Sequence, residues 1–171
     1  MKYWLALALT MCSSGVMAKT PEQIRSAFLY QMANFIEFPA MDEAGIRFCF
    51  YDLKSGPGAI LNKNKSLKIK GLPILIQKVE KNTAIKELSE QCDITYFDGA
   101  LGNDILSSYN KSTPLDMLMV SDNLSFLDNE GMAALVQEGN KIRLYVNKQQ
   151  IAKHNFKVLS RLLAVAKFHP N

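Results

Sequence analysis

Apolar positions along this chain fall into two kinds of pattern. Ile24, Phe28, Leu29, Met32, Phe35, Ile36 and Phe38 recur at helical spacing and cover about half the circumference of a helix, wider than the stripe of one packed on a single surface. Just ahead, Thr20-Pro21-Glu22-Gln23 combines an N-cap threonine, a proline at the first helical position and a glutamine completing a capping box. The pattern predicts a helix that starts here, touches two surfaces and ends where Pro39 disfavours helical geometry at Phe38.

Beyond that helix, apolar β-rich runs alternate with weaker helical segments. Strands are expected near 46–51, 67–70 with 74–79, 93–97, 117–120, 132–137 and 141–146. Helices are expected near 58–63, 83–90, 102–109 and 148–168, the last with a break around His154-Asn155. Met117-Leu118-Met119-Val120 is apolar without alternation, as in a strand covered on both faces. Glu138-Gly139-Asn140 is a short turn that makes the last two strands an antiparallel hairpin. The expected class is α/β: a single three-layer domain with a mostly parallel central sheet of about five or six strands, an antiparallel edge hairpin and helices on both faces. No repeat, low-complexity tract or interdomain linker interrupts it.

The first 18 residues, MKYWLALALTMCSSGVMA, stand apart from these patterns. Lys2 supplies a positive start, Trp4 to Met11 a mostly apolar stretch, and Val16-Met17-Ala18 small residues suited to cleavage before Lys19. The apolar stretch is shorter than the roughly 20 residues of a membrane span. Residues 1–18 are therefore expected to be a cleaved export signal, and 19–171 a single domain working in the periplasm without membrane insertion. A rival reading, acylation of Cys12 after lipoprotein cleavage, meets Met11 where a small residue is wanted.

Charge narrows the partners. The chain carries 20 Lys and Arg against 16 Asp and Glu, and the leader removes only Lys2 from that balance. So small an excess does not point to nucleic acid. Lys63, Lys65, Lys68 and Lys70 gather without interleaved aromatics and read first as a solvated edge.

Export also changes what the cysteines mean. Cys12 leaves with the signal, and Cys49 and Cys92 remain in an oxidising compartment, each on or beside an expected strand. If those strands are neighbours, a disulfide fits and closes a loop worth about 4 kcal/mol in the chain-entropy treatment. Otherwise they are two buried thiols.

Three expected strands run into an aspartate: Asp52 after FCFY, Asp98 after ITYF, and Asp122 after MLMV with Ser121 between. Ligands of open α/β sheets bind beyond the carboxyl ends of the strands, so these carboxylates mark a candidate crevice for a hard cation, acid–base chemistry or a small ligand. Aspartate at such junctions equally serves to cap the next helix or form an Asx turn. Lys54-Ser55-Gly56-Pro57-Gly58 lacks both the dinucleotide and the phosphate-loop pattern. His154 and His169 are the only histidines, and no GxSxG elbow accompanies them. No catalytic residue, metal or cofactor is assigned, and the expectation is a protein that is not an enzyme.

Ala27-Phe28-Leu29-Tyr30 to Phe35-Ile36-Glu37-Phe38-Pro39, the strand ending near Asp52, Cys92-Asp93-Ile94, Val120-Ser121-Asp122, Tyr145-Val146-Asn147 and Ser160-Arg161-Leu162-Leu163-Ala164 together resemble the YfiR family, over about residues 21 to 168. Phe38 stands where the family usually has tryptophan, and Ser121 where it has glycine. The resemblance implies a periplasmic repressor that binds the periplasmic sensor region of an inner-membrane diguanylate cyclase and restrains cyclic-di-GMP production and biofilm formation. It further implies an outer-membrane lipoprotein able to sequester the repressor, a homodimer, and a structural disulfide at Cys49 and Cys92. Tyr30, on the polar side of the first helix, is a candidate partner contact. A periplasmic small-ligand sensor using the aspartate crevice is the alternative.

Overall fold

The capping signal at Thr20 starts the first element. In the computed structural model, which describes residues 18–39, 42–64, 66–107, 109 and 114–170, the Gln23 amide donates to the Thr20 hydroxyl at 3.2 Å. The Thr20 amide donates to the Gln23 side chain at 2.9 Å. The expected leader, apart from Ala18, lies outside the described residues, as do Cys12 and Lys65.

Helix α1 (Pro21–Phe35) leads into β1 (Ile36–Glu37), β2 (Ile46–Phe50), α2 (Gly56–Lys63), β3 (Lys68–Ile69) and β4 (Leu72–Lys78). There follow α3 (Ile85–Gln91), β5 (Ile94–Phe97), α4 (Leu101–Ser107), β6 (Leu118–Ser121) and α5 (Ser125–Asp128). The chain ends with β7 (Ala133–Glu138), β8 (Lys141–Val146), α6 (Lys148–Lys153), β9 (Lys157–Val158), α7 (Ser160–Leu163) and β10 (Lys167–Phe168).

Among the described residues eight strands form one sheet in the order β10-β8-β7-β6-β5-β2-β4-β3. Strands β4, β2, β5, β6 and β7 run parallel, and β8 returns antiparallel to β7 through Gly139, whose φ of +59° suits the tight turn. The longer strands are those the apolar runs predict. Two-residue strands finish both edges, β3 antiparallel to β4 and β10 parallel to β8.

Both faces of the centre are covered, as the apolar runs require. Every residue of β5 and β6 is buried, and successive strand residues point to opposite faces. On one face the Phe50 and Tyr96 rings lie 6.2 Å apart, and Gly58 of α2 packs so closely that a Cβ there would meet the Phe50 ring at 2.6 Å. On the other, Phe97 lies 5.5 Å from Phe126 of α5, against which Gly102 of α4 also packs. The result is a three-layer α/β domain.

The segment 148–168 is not one helix interrupted at His154-Asn155. The break is there, with Asn155 at φ 60°, but the chain does not resume as a long helix. Val158 pairs with Ile36, Lys157 with Glu37, and only one turn, α7, follows before β10 joins the sheet. Helical spacing of Val158, Leu159, Leu162 and Leu163 is a local signal, and the open backbone edge of β1 outcompetes it. The same pairing ends α1 at Phe35 instead of Phe38, because Ile36 is already extended.

Cys49 and Cys92 are joined by a disulfide with Cα atoms 5.8 Å apart, both side chains fully buried. Beside it the Asp93 carboxylate accepts from the Arg47 amide at 2.7 Å and from the Arg47 guanidinium at 3.2 and 2.7 Å. Arg47 also donates to the Glu90 carbonyl at 2.8 Å. Its hydrogen bond with Asp93 raises the Arg47 pKa above its ordinary value. One covalent bond from Cys49 and one charge-assisted cluster from Arg47, the fourth and second residues of β2, thus fasten that strand to the start of β5.

Candidate functional site

At the carboxyl ends of the strands the three predicted aspartates meet different fates. Asp52, after β2, is turned back on its own chain: the Lys54 amide donates to it at 2.7 Å and the Ser55 hydroxyl donates to its other oxygen. Those bonds, Ser55 first, hold its pKa below the usual carboxylate value. Asp122, after β6, accepts from the Gly99 amide at 2.8 Å, and so ties the loop after β5 to the loop after β6.

Asp98, after β5, accepts no hydrogen bond through its side chain from any described residue. Partial burial of its carboxylate, then the negative charges of Asp122 and Asp52, push its pKa up to about 6. Asp52 and Asp98 line one crevice of about 360 Å³ together with Tyr51, Ser55, Lys81 and Leu101. Asp122 acts on this crevice through Gly99 and through its charge without lining it.

Tyr51 is the residue the sequence patterns did not single out. It is 7% exposed, and its phenol oxygen is buried with no hydrogen-bond partner. Burial, followed by the Asp98 charge, raises its pKa above the ordinary phenol value. Its position directly before Asp52, at a strand end, was the available signal, masked because Tyr51 also extends an apolar run.

The carboxylates do not assemble a metal centre: among the described residues no three His, Cys, Asp or Glu side chains are placed to hold an ion. His154 is buried and its Nδ1 accepts from the Leu115 amide at 2.7 Å, which commits that nitrogen to structure. Burial keeps its pKa below the ordinary value. His169 pairs with Asp128 at 2.6 Å on the surface.

A second concavity lies between α1 and α7. Ile24, Phe28 and Phe35 from α1 face Leu162 and Val165 across a groove of about 360 Å³ whose walls are almost wholly apolar, with Arg161 at its side. Val165 is 62% exposed, which marks the groove as uncovered. The broad apolar stripe of α1 explains it: Leu29 and Met32 are fully buried, while Ile24, Phe28 and Phe35 on the flank stay partly open. No helix of the described residues is long and apolar enough to cross a membrane.

A family model described as YfiR/HmsC-like matches residues 22–167. The chain belongs to the YfiR/HmsC-like family. Proteins of the YfiR/HmsC-like family are periplasmic regulators that act through protein contacts, not catalysts. Among solved structures, a conserved domain protein from Vibrio cholerae O1 biovar El Tor is similar with a TM-score of 0.52 over 86% of this chain. At 12% identity that likeness shows the fold alone, and this chain spans 59% of that protein's length. No curated protein matches the sequence.

Within this YfiR/HmsC-like chain the remaining sequence candidates can be placed. Phe38 packs edge-on against Phe156 with ring centroids 5.7 Å apart, so the aromatic position is used for packing at the β1–β9 corner. Tyr30 is half-buried, and its hydroxyl donates to the Lys68 carbonyl at 2.8 Å, which anchors α1 to β3.

Proposed function

We propose that this protein binds the periplasmic sensor region of an inner-membrane diguanylate cyclase and holds the enzyme inactive, lowering cyclic-di-GMP and biofilm formation. The observation that carries the reading is the uncovered apolar groove between α1 and α7, on a chain whose family acts through protein contacts. Apolar walls with a cationic rim suit an amphipathic segment of the cyclase that presents aliphatic side chains and an acidic group to Arg161. Tyr30, already held by Lys68, is a secondary contact at the edge of α1. The active form is a homodimer, and an outer-membrane lipoprotein that binds the repressor frees the cyclase.

The test uses the mature chain and the periplasmic regions of the inner-membrane diguanylate cyclases of the same organism. The parent protein captures one such region, and Val165→Glu weakens capture about tenfold or more, because a carboxylate replaces an apolar contact. Val165 is exposed, so its melting temperature stays within a degree or two of the parent's. Capture by neither protein, together with unchanged cyclic-di-GMP when the gene is deleted, sinks the reading. Equal capture by both keeps repression but removes the groove as its surface. Sedimentation of the mature chain checks the dimer.

A further inference from the structure

One wall of the groove between α1 and α7 is a stripe of the helix: Ile24, Phe28, Gln31 and Phe35 succeed one another at spacings of three or four residues. The concavity therefore follows α1 for about 16 Å, at 1.5 Å of rise per residue. Opposite stands Val165, the most exposed large hydrophobic side chain among the described residues. A long apolar trough, open on one side, suits an extended chain better than a compact ring system. Its volume of about 360 Å³, at roughly 30 Å³ for a water- or methylene-sized group, takes a chain of about ten to twelve carbons.

Charge selects the head of that chain. Of the four arginines, Arg25 pairs with Glu22, Arg47 with Asp93, and Arg143 lies 3.9 Å from Glu138, whereas Arg161 has no acidic partner among the described residues. It is also the one charged residue lining the groove, and no carboxylate lines it. Water satisfies the guanidinium in the free protein, so the gain on binding comes from the apolar walls, and Arg161 decides the sign of the charge that accompanies the chain. A single cation matches a monoanion. A phosphate monoester carries about 1.5–2 negative charges and would keep part of that charge unpaired beside an apolar wall.

We propose that this groove binds an unbranched alkyl carboxylate of about ten carbons, its chain along the stripe from Ile24 to Phe35 and its carboxylate paired with Arg161, and that the bound ligand displaces the cyclase. Displacement follows from shared chemistry, because aliphatic groups and one acidic group are what the cyclase segment presents to the same surface. Binding of the carboxylate rests on the groove alone. Release of the cyclase rests on the repressor reading.

The experiment is a nuclear magnetic resonance titration of the mature chain with hexanoate, octanoate, decanoate and dodecanoate below their micelle concentrations. Saturable shifts are confined to the amides around Ile24 to Phe35 and Arg161 to Val165. Affinity rises about threefold per methylene and levels off near decanoate, where the groove is full. Arg161→Gln weakens decanoate binding several-fold and leaves decanol binding unchanged. Val165→Glu weakens decanoate about tenfold. Both positions are exposed, so unchanged spectra elsewhere confirm the fold. Affinity that does not grow with chain length, decyltrimethylammonium binding as tightly as decanoate, or no saturable shift at these amides overturns the proposal. Flotation of the protein with phosphatidylglycerol vesicles that decanoate does not relieve also overturns it, and assigns the groove to a membrane surface. Decanoate added to a captured cyclase region releases it. Saturable binding without release overturns the displacement alone, and no capture by the ligand-free protein sinks the repressor reading while the titration still decides the ligand.

Discussion

An aspartate stands at each end of β5, and the fold treats the two in opposite ways. Asp93, before the strand, is 2% exposed, yet the Arg47 amide and guanidinium satisfy both of its oxygens. Asp98, after the strand, is open to solvent on one side and has no partner among the described residues. What makes a carboxylate costly is therefore desolvation that no donor offsets, with the company of like charges adding to it. Strands β2 and β5 are joined by an ion pair from Arg47 and a disulfide from Cys49, the second and fourth residues of β2, both reaching and closing the start of β5. Their carboxyl ends leave Tyr51 and Asp98 with unused capacity. These two links tie β5 to β2, so the open end can carry groups that weaken the fold slightly.

The comparison breaks most readily at the closed end. Replacing Cys49 with serine, or reducing the bridge, removes a constraint across 43 positions and costs about 4 kcal/mol in the chain-entropy treatment. Urea unfolding with and without reductant measures it, and intact mass shows the native chain two hydrogens lighter than its reduced form. Identical midpoints and masses under both conditions refute the bridge. Next in size is Arg47→Met, which strands the buried Asp93 charge and lowers stability by about 2–3 kcal/mol. Adding Asp93→Asn to that variant restores part of the loss, since the uncompensated charge is gone. No recovery would mean that Arg47 acts through packing.

The open end should respond with the opposite sign. A folded-state pKa raised above the ordinary carboxylate value means that Asp98 is best tolerated protonated. Its contribution to stability is fully present below about pH 4 and is lost as pH rises through about 6. Asp98→Asn therefore stabilises the protein at about pH 7.5 and leaves it unchanged at about pH 3.5, by less than about 1 kcal/mol because solvent screens the group. Melting temperatures across that range check it, and a destabilised variant at neutral pH contradicts it. The smallest effect is Tyr51→Phe: removing an unpartnered buried hydroxyl leaves stability within about 1 kcal/mol of the parent, on the stabilising side. A loss well beyond that reveals a partner for the phenol.

Much of the architecture was legible along the chain. The capping box at Thr20 and Gln23 involves residues three apart, and the central strands announce themselves as apolar runs covered on both faces. Cys49 lies within β2 and Cys92 two residues before β5, close enough for pairing to be foreseen, although the neighbouring of those strands was a condition. Segment 148–168 resisted because two-residue strands have no periodicity to read. Val158 looks helical until Ile36 is found opposite it, over a hundred residues earlier. The groove was half legible: the stripe on α1 was too wide for one surface, but the single turn of α7 that leaves its flank uncovered was not visible.

For the candidate site the division is sharper. Sequence placed Asp52, Asp98 and Asp122 at strand ends and left their capping and ligand-binding roles as rivals. Asp52 could be settled by neighbours two and three residues away. Asp98 and Asp122 are chemically alike, and the difference between them depends on a hydrogen bond to Gly99 across 23 residues and on how closely the loops after β2, β5 and β6 approach. Local composition carries capping and strand formation, because those energies arise within a few residues. Which carboxylate and which phenol remain unsatisfied is a property of packed neighbours distant along the chain, and it arises only when the sheet is assembled.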